Sequence, residues 1–189
     1  MDLQVRKPTP EDKLRINEII EEEGSMYGWK PKSDEQLILV GNDLKSDISD
    51  IIGAVTYKIN PLDIFIGGIN IRKKYQGKKY GNLLIDALVK LAKDLGIKEI
   101  KLYVAGGASN EQAIHFYEKY GFFLDRNHPE IEHLAIEKLK DFLINENPEL
   151  YTEDVPENVI DDYLVSSEET LDDWIEEAIN DWYPMKLII

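Results

Sequence analysis

The residues best suited to chemistry lie in a glycine- and lysine-rich stretch near the middle of the chain. Gly77 and Gly81 stand where the chain must turn, just before a run of residues with helical periodicity. A helix N-terminus presents unpaired backbone N–H groups and a partial positive charge. Basic residues surround the two glycines: Arg72, Lys73, Lys74, Lys78 and Lys79. The stretch predicts a cradle for a pyrophosphate, and a solvated basic turn is the alternative.

Other common site types find no support in the sequence. No GxGxxG follows the first predicted strand, and the phosphate-binding pattern GxxxxGK[ST] does not occur. The chain has no cysteine, which removes disulfides, thiolate nucleophiles and cysteine-based metal centres. The spacing of the histidines matches no metal-binding pattern, so we expect no metal site. These histidines are His115, His128 and His133.

The first half of the chain predicts a strand, a helix and an antiparallel meander. Residues 3–6 alternate as a strand does, and a helix follows with Thr9 as its cap and Pro10 at its first position. An aromatic loop at 25–32 is expected to cover the core. Three strands without intervening helices then follow, at 36–40, 51–60 and 64–72. The pair Gly67-Gly68 inside the last of them predicts a bulge or a close approach to the backbone.

The middle of the chain predicts a helical crossover. Apolar residues repeat at helical spacing from Lys78 to Leu95, and Gly96 is the expected stop. The strand predicted at 99–104 should therefore run parallel to the strand before the helix. A second helix is predicted at 109–120, ended by Gly121, with a strand starting at Phe122.

Two segments of this part resemble the GNAT superfamily of acyl-CoA-dependent N-acyltransferases. The segment Gln76–Gly81, QGKKYG, is similar to the family motif of Arg or Gln, two residues, Gly, one residue, then Gly or Ala. The segment Asn110–Phe122, NEQAIHFYEKYGF, is similar to the family's N-x-x-A-x-x-x-Y-x-x-x-G-F. The predicted order of elements from residue 3 to 125 matches as well. The departure is Lys79, where the family usually has glycine, a residue that lets a ligand approach the backbone closely.

The resemblance implies acetyl-CoA as co-substrate and gives individual residues roles. It implies diphosphate contacts from the backbone N–H groups of Gln76, Gly77, Lys78, Lys79, Tyr80 and Gly81. It implies that the pantetheine arm pairs with the strand residues Ile69, Asn70 and Ile71. Tyr117 would be the general acid that protonates the departing thiolate, and Asn110 would orient the cofactor or substrate. The structural alternatives are a core aromatic for Tyr117 and a helix cap for Asn110.

The same resemblance implies an oxyanion donor but leaves the general base open. A backbone N–H between Gly67 and Ile71 is the expected donor to the tetrahedral intermediate. A base must take a proton from the amine, whose ammonium form has a pKa of about 10. The candidates are Asp63, Glu99, Asp125, His115, His128 and His133, and each has a solvated surface role as its alternative.

The net charge of −15 belongs to one segment near the end of the chain. Residues 141–185 hold 15 acidic residues and no basic one, whereas residues 1–140 are nearly balanced. We expect this segment to repel nucleic acid and anionic membranes. Helices are predicted at 129–144 and 167–180, the second with a capping box between Ser166 and Glu169, before a final strand at 183–189.

Three roles are open for the acidic segment. Its carboxylates could face water while its apolar residues pack on the body of the protein. It could instead border the acceptor site and attract a cationic amine, such as a polyamine, a lysine side chain or a basic peptide. It could also be the docking surface of a basic protein.

Together these observations predict one α/β domain over residues 1–189. We expect a GNAT-like mixed, largely antiparallel sheet flanked by helices, with a core at 1–128 and 183–189 and a helical acidic insertion at 129–182. The expected activity is transfer of an acetyl group from acetyl-CoA to a primary amine by direct attack in a ternary complex. The alternative is a non-catalytic module that binds acyl-CoA or a protein partner. The first six residues do not resemble a secretion signal, so we expect a cytoplasmic location.

Overall fold

The computed structural model describes residues 2–23, 35–42, 49–105, 110–126, 128–151, 154–167 and 169–189. The loop predicted at 25–32 lies outside these residues. In chain order, the elements are β1 (Asp2–Arg6), α1 (Pro10–Glu23), β2 (Gln36–Asn42), β3 (Ser49–Ile59), β4 (Asp63–Ile71), a 3-10 turn (Lys73–Tyr75), α2 (Tyr80–Leu95), β5 (Glu99–Ala105), α3 (Glu111–Tyr120), β6 (Phe123–Leu124), α4 (Pro129–Glu146), α5 (Glu157–Ser166), α6 (Leu171–Asp181) and β7 (Trp182–Ile188).

The strands form a seven-stranded sheet in the order β1-β2-β3-β4-β5-β7-β6. Strands β1 to β4 pair antiparallel, as the meander predicts, and β4 pairs parallel with β5, as the helical crossover predicts. The predicted fold class, a mixed and largely antiparallel sheet flanked by helices, is confirmed. Among the described helices, none is long and apolar enough to cross a membrane.

The chain divides into two compact units, each described by itself below. The first unit comprises Met1–Leu102 with Lys186–Ile189, and the second comprises Tyr103–Met185. The prediction of a single domain over 1–189 stays a prediction.

In the first unit, both predicted helices are present, and α2 starts later than its sequence indicates. Thr9 and Asp12 form a reciprocal capping box at the start of α1, where the Thr9 N–H donates to Asp12 Oδ2 at 2.7 Å and the Asp12 N–H donates to Thr9 Oγ1 at 3.3 Å. Helix α2 buries Leu84, Ile85, Leu88 and Ala92, and it ends at Gly96, which has a left-handed φ of 73°. It begins at Tyr80, two residues later than the predicted start, because the backbone at Lys79 is left-handed.

In the second unit, α4, α5 and α6 enclose a hydrophobic core of their own. Its buried side chains come from all three helices and the connection between them: Ile131, Ala135, Leu139, Leu143, Val155, Ile160, Trp174, Ala178 and Ile179. The apolar face of the acidic segment thus packs against α4, while the carboxylates of its described residues are exposed. Leu150 does not pack inward and is 69% exposed.

The boundaries inside the acidic segment differ from the predicted ones. Helix α5 was not predicted. The capping box predicted between Ser166 and Glu169 is wrong, because Ser166 is the last residue of α5. The box is formed one turn later by Thr170 and Asp173, where the Thr170 N–H donates to Asp173 Oδ2 at 2.8 Å and the Asp173 N–H donates to Thr170 Oγ1 at 3.4 Å. A threonine directly before the apolar run can cap it, whereas Ser166 is too far upstream.

Candidate active site

The predicted anion cradle is the loop that leads into α2. Gly77 and Lys79 both have left-handed backbones, with φ of 76° and 60°. These two reversals bring residues 77–81 to the N-terminus of α2, where the Asn82 N–H is bonded to the Lys79 carbonyl at 3.1 Å. Within the described parts of the chain, the amides of residues 77–81 donate to no other backbone carbonyl. The loop therefore presents a row of amide donors at the positive end of a 16-residue helix.

Gln76 anchors this loop to the end of β4. Its side-chain Nε2 donates to the Ile71 carbonyl at 2.9 Å, and its backbone N–H donates to the Lys73 carbonyl at 3.3 Å. The Gln76 amide is thus bonded inside the turn, unlike the amides of residues 77–81. The glutamine of the motif holds the shape of the loop by its side chain.

The charges predicted around the cradle separate into two groups. Arg72 and Lys74 turn to Asp50 at the start of β3, with Arg72 Nη1 and Lys74 Nζ at 2.7 and 2.6 Å from its carboxylate. Tyr75 donates its hydroxyl to the same carboxylate at 2.8 Å. The side chains of Lys73, Lys78 and Lys79 are exposed, and Lys78 Nζ lies 5.8 Å from the centroid of the Tyr75 ring.

Asp50 is a residue of this site that the sequence did not indicate. Burial would raise its pKa, but hydrogen bonds from Lys74 and Tyr75 and the charges of Arg72 and Lys74 outweigh burial and lower the pKa below its usual value. Arg72 is itself 4% exposed and also donates to the Ile51 carbonyl at 3.3 Å. This network fastens the 3-10 turn before the cradle to β3. Asp50 lies 22 residues from Arg72, so no local pattern links the two.

The predicted bulge in β4 is present at Gly67. Thr56 of β3 pairs with Gly68 and Tyr57 pairs with Ile66, so Gly67 is the extra residue. A Cβ on Gly67 would lie 3.0 Å from Thr56 Oγ1, a buried oxygen that has no hydrogen-bond partner among the described residues. The parallel ladder between β4 and β5 begins with Asp63 opposite Glu99 and ends with Ile66 opposite Leu102.

The predicted pantetheine strand lies beyond this ladder. Ile69, Asn70 and Ile71 continue β4 past the bulge and pair on one side with β3. All three side chains are half-buried. Their position on a strand that has left its parallel neighbour suits an edge that pairs with an extended ligand arm.

The second unit contains the other two predicted site residues, both on α3. Asn110 is the N-cap of this helix, with its Oδ1 accepting from the Ala113 N–H at 3.3 Å. Tyr117 packs edge-on against Phe116 and Phe122, with ring centroids 5.1 and 5.4 Å away. Burial raises the pKa of Tyr117 to about 12. Its hydroxyl therefore keeps its proton across the physiological pH range and is available as a proton donor.

The predicted site residues thus form two groups. The cradle, Gln76–Gly81, and the strand residues 69–71 belong to the first unit and are joined by the Gln76 side chain. Asn110 and Tyr117 belong to the second unit and lie on one helix.

The candidates for the general base are in very different surroundings. Asp63 and Glu99 share an ion pair with Lys101, at 3.4 and 3.2 Å. His115 is exposed beside Glu118, and His133 is exposed. Asp125 is buried, and His128 lies within hydrogen-bonding distance of Tyr103 and the backbone of Glu130.

Comparison with known proteins gives several matches. Over 60 residues the chain is 35% identical to a mycothiol acetyltransferase from Propionibacterium freudenreichii subsp. shermanii, a match that covers 32% of this chain and 18% of that protein. The crystal structure of Ard1 from Thermoplasma volcanium superposes with a TM-score of 0.55 at 15% identity, covering 100% of this chain and 99% of that one. Rv2747 from Mycobacterium tuberculosis, solved in complex with CoA, superposes with a TM-score of 0.54 at 14% identity, covering 98% and 99%.

The structural matches show only that the fold is shared. Membership of a family is shown by a match to a family model. Residues 6–122, more than half of the chain, match the model of the Acetyltransferase (GNAT) family. This range includes the cradle, the bulged strand, Asn110 and Tyr117. The chain therefore belongs to the Acetyltransferase (GNAT) family.

Proposed function

We propose that this protein transfers an acetyl group from acetyl-CoA to a primary amine by direct attack in a ternary complex. The observation that carries the proposal is the row of amides at residues 77–81, at the start of α2, which donate to no backbone carbonyl among the described residues. Such a row matches the diphosphate of CoA in charge and in hydrogen bonding. Direct attack suits a chain without cysteine, because no thiol can carry the acetyl group in between.

In this proposal, the cofactor is held by backbone groups more than by side chains. The amides of Gly77, Lys78, Lys79, Tyr80 and Gly81 donate to the diphosphate, and Gln76 keeps the loop in place. The edge of Ile69–Ile71 pairs with the pantetheine arm. An amide in the Gly67–Ile71 segment stabilises the oxyanion of the tetrahedral intermediate.

The proposed general acid is Tyr117. When the amine has added to the thioester, the carbon–sulfur bond breaks and the sulfur leaves as a thiolate that needs a proton. A phenol whose pKa is raised to about 12 still carries that proton when the thiolate forms. Asn110 caps the helix that carries Tyr117 and so helps to position it.

The proposed acceptor is a cationic amine. Support comes from residues 141–185, with 15 acidic residues and no basic one. A negative surface of this kind raises the local concentration of a polyamine or a basic peptide. The structure gives this segment a folded helical core, so its carboxylates are held on a fixed scaffold.

The proposal is tested by thiol release from acetyl-CoA in the presence of spermidine, lysine or a short peptide with a free N-terminus. Tyr117→Phe should lower kcat by about 100- to 10,000-fold and leave the Kd for CoA unchanged, because only proton donation is lost. Tyr120→Phe is the matched control, since it removes a hydroxyl from the same helix. A non-catalytic binding module would bind CoA and release no thiol with any of these amines.

A further inference from the structure

The hydroxyl group of Thr56 on β3 is a buried polar group that the proposed roles leave unused. Thr56 is 4% exposed, and its Oγ1 has no hydrogen-bond partner in the parts of the chain that the structure describes. Burying a hydroxyl without a partner costs free energy, and native proteins keep few such groups. Valine has nearly the same shape and also favours strands, without this cost. The hydroxyl itself, and not the shape of the side chain, therefore needs an explanation.

Thr56 lies where one face of the sheet changes from apolar to polar. In the ladder between β2 and β3, Ile38 is opposite Ala54, and both pack in a hydrophobic core with side chains of α1. Two residues along each strand, Gln36 is opposite Thr56, and Gln36 is fully buried as well. Directly opposite residues share a face of the sheet. The same face therefore ends in a buried pair of polar side chains.

The bulge in β4 places a glycine next to this hydroxyl. Gly67 is the extra residue of the bulge and is exposed, whereas Thr56 beside it is buried. A Cβ on Gly67 would lie 3.0 Å from Thr56 Oγ1, and its next neighbours would be two further atoms of Thr56, at 3.7 and 3.9 Å. Because residue 67 is glycine, none of its own side-chain atoms stands over the hydroxyl. Glycine within a strand often marks a place where a ligand approaches the backbone closely.

The bulge is also where the proposed reaction takes place. In the proposed function, an amide between Gly67 and Ile71 stabilises the oxyanion, so the acetyl carbon and the attacking amine lie close to Gly67. A neutral amine attacks with its lone pair, and its two N–H bonds must then point away from the acetyl carbon. No described group donates to Thr56 Oγ1, which leaves this oxygen available as an acceptor for one of them.

We propose that the Thr56 hydroxyl accepts a hydrogen bond from the amine of the acceptor, an inference that rests on the proposed function. One N–H of the neutral amine donates to Thr56 Oγ1, which holds the nitrogen beside Gly67 with its lone pair directed at the acetyl carbon. The lone pair forms the new C–N bond, the carbonyl electrons move to the oxyanion, and the donated N–H bond stays intact. Because Oγ1 is covered in this structure, the backbone at the bulge moves slightly aside when the amine binds.

The test is the acetylation of spermidine, lysine or a short peptide by Thr56→Val and Thr56→Ser, with acetyl-CoA saturating. Thr56→Val should lower kcat/KM for the amine by about 10-fold or more, because the bound N–H loses its acceptor. The Kd for CoA should stay unchanged, since the amides of residues 77–81 hold the diphosphate. Thr56→Ser keeps the hydroxyl, and it should recover most of the kcat/KM that Thr56→Val loses.

Thermal stability separates contact with the substrate from a structural role. Thr56→Val removes a buried hydroxyl that no described residue satisfies, so the Tm should rise by about 2–4 °C. Lower activity together with higher stability is the expected result for a polar group that serves a ligand. A hydroxyl that stabilises the sheet would give the opposite change, a lower Tm in Thr56→Val, and would contradict the inference.

The outcomes distinguish this inference from the proposed function. If the wild type releases thiol and Thr56→Val has the same kcat/KM, the contact with the amine is wrong and the acetyltransferase proposal stands. An equal loss of kcat/KM in Thr56→Ser and Thr56→Val would also overturn the contact, because altered packing would then explain both. If the wild type binds CoA and acetylates none of the amines, both proposals fail together.

Discussion

At the residue scale, Lys79 carries a conformational cost that the family's glycine avoids. Its φ of 60° is left-handed, which costs a residue with a Cβ about 1–2 kcal/mol. Lys79→Gly should therefore raise the free energy of unfolding by about 1 kcal/mol, measured by urea denaturation. Lys79→Ala is the control, because it removes the charge and keeps the strain. An equal increase in the free energy of unfolding in both variants would mean that the charge of Lys79, and not its backbone conformation, limits stability here.

Asp50 gives a second prediction at this scale, which concerns pH. Its carboxylate binds Arg72, Lys74 and Tyr75, and Asp50→Asn removes the negative charge beside the buried Arg72 guanidinium. We expect a loss of about 3 kcal/mol in the free energy of unfolding at pH 7. Because folding lowers the pKa of Asp50, its carboxylate stabilises the protein fully above the pKa of the unfolded state, about 3.9. This stabilisation is lost as pH falls through the pKa of Asp50 in the folded state.

The measurement for Asp50 is urea unfolding of the wild type and Asp50→Asn across the acid range. The difference between the two proteins should be constant near neutral pH and should shrink below about pH 4. A difference that persists unchanged at the lowest pH would show that the carboxylate charge is not what stabilises the turn.

Local patterns reveal some of these residues and not others. Gln76, Gly77 and Tyr117 could be named as candidates because each lies in a short motif with fixed spacing. Asp50 could not, since 22 residues separate it from Arg72. Its contacts depend on how β3 packs against the turn after β4, which a linear pattern does not record.

At the element scale, the close approach of β3 and β4 depends on Gly53. A Cβ on Gly53 would lie 2.6 Å from the Asn70 carbonyl oxygen and closer still to Ile71 Cδ1. Gly53→Ala should therefore lower the free energy of unfolding by about 1–3 kcal/mol and weaken CoA binding, because both neighbours lie in the proposed pantetheine strand.

A double variant identifies which contact matters. Ile71→Val removes the Cδ1 atom but leaves the Asn70 carbonyl in place, so Gly53→Ala/Ile71→Val should remain less stable than Ile71→Val alone. Calorimetric Tm values and CoA titrations provide the two readouts. If Gly53→Ala/Ile71→Val were as stable as Ile71→Val alone, the Asn70 carbonyl would have to move without cost.

Elements with clear periodicity and caps could be predicted, and those without them could not. Helix α2 follows from its apolar spacing and Gly96, and the bulge follows from Gly67-Gly68. Helix α5 has no side-chain cap and lies in an acidic stretch. Its apolar residues form a face that packs against α4 and α6, and only the tertiary structure reveals this face.

At the scale of the whole molecule, charge is distributed unevenly along the chain. If the acidic residues at 141–185 steer a cationic acceptor, raising the salt from about 0.05 to 0.5 M should raise the KM for spermidine. An aniline-type acceptor, uncharged at pH 7, is the control and should keep its KM. Equal salt responses of the two acceptors would reject steering.

The central claim is that the backbone amides of residues 77–81 hold the diphosphate of CoA at the start of α2. The most direct measurement is a crystal structure of the protein in complex with CoA. We expect the diphosphate oxygens about 3 Å from these amide nitrogens, within hydrogen-bonding distance. A diphosphate bound elsewhere, with this loop unoccupied, would contradict the account.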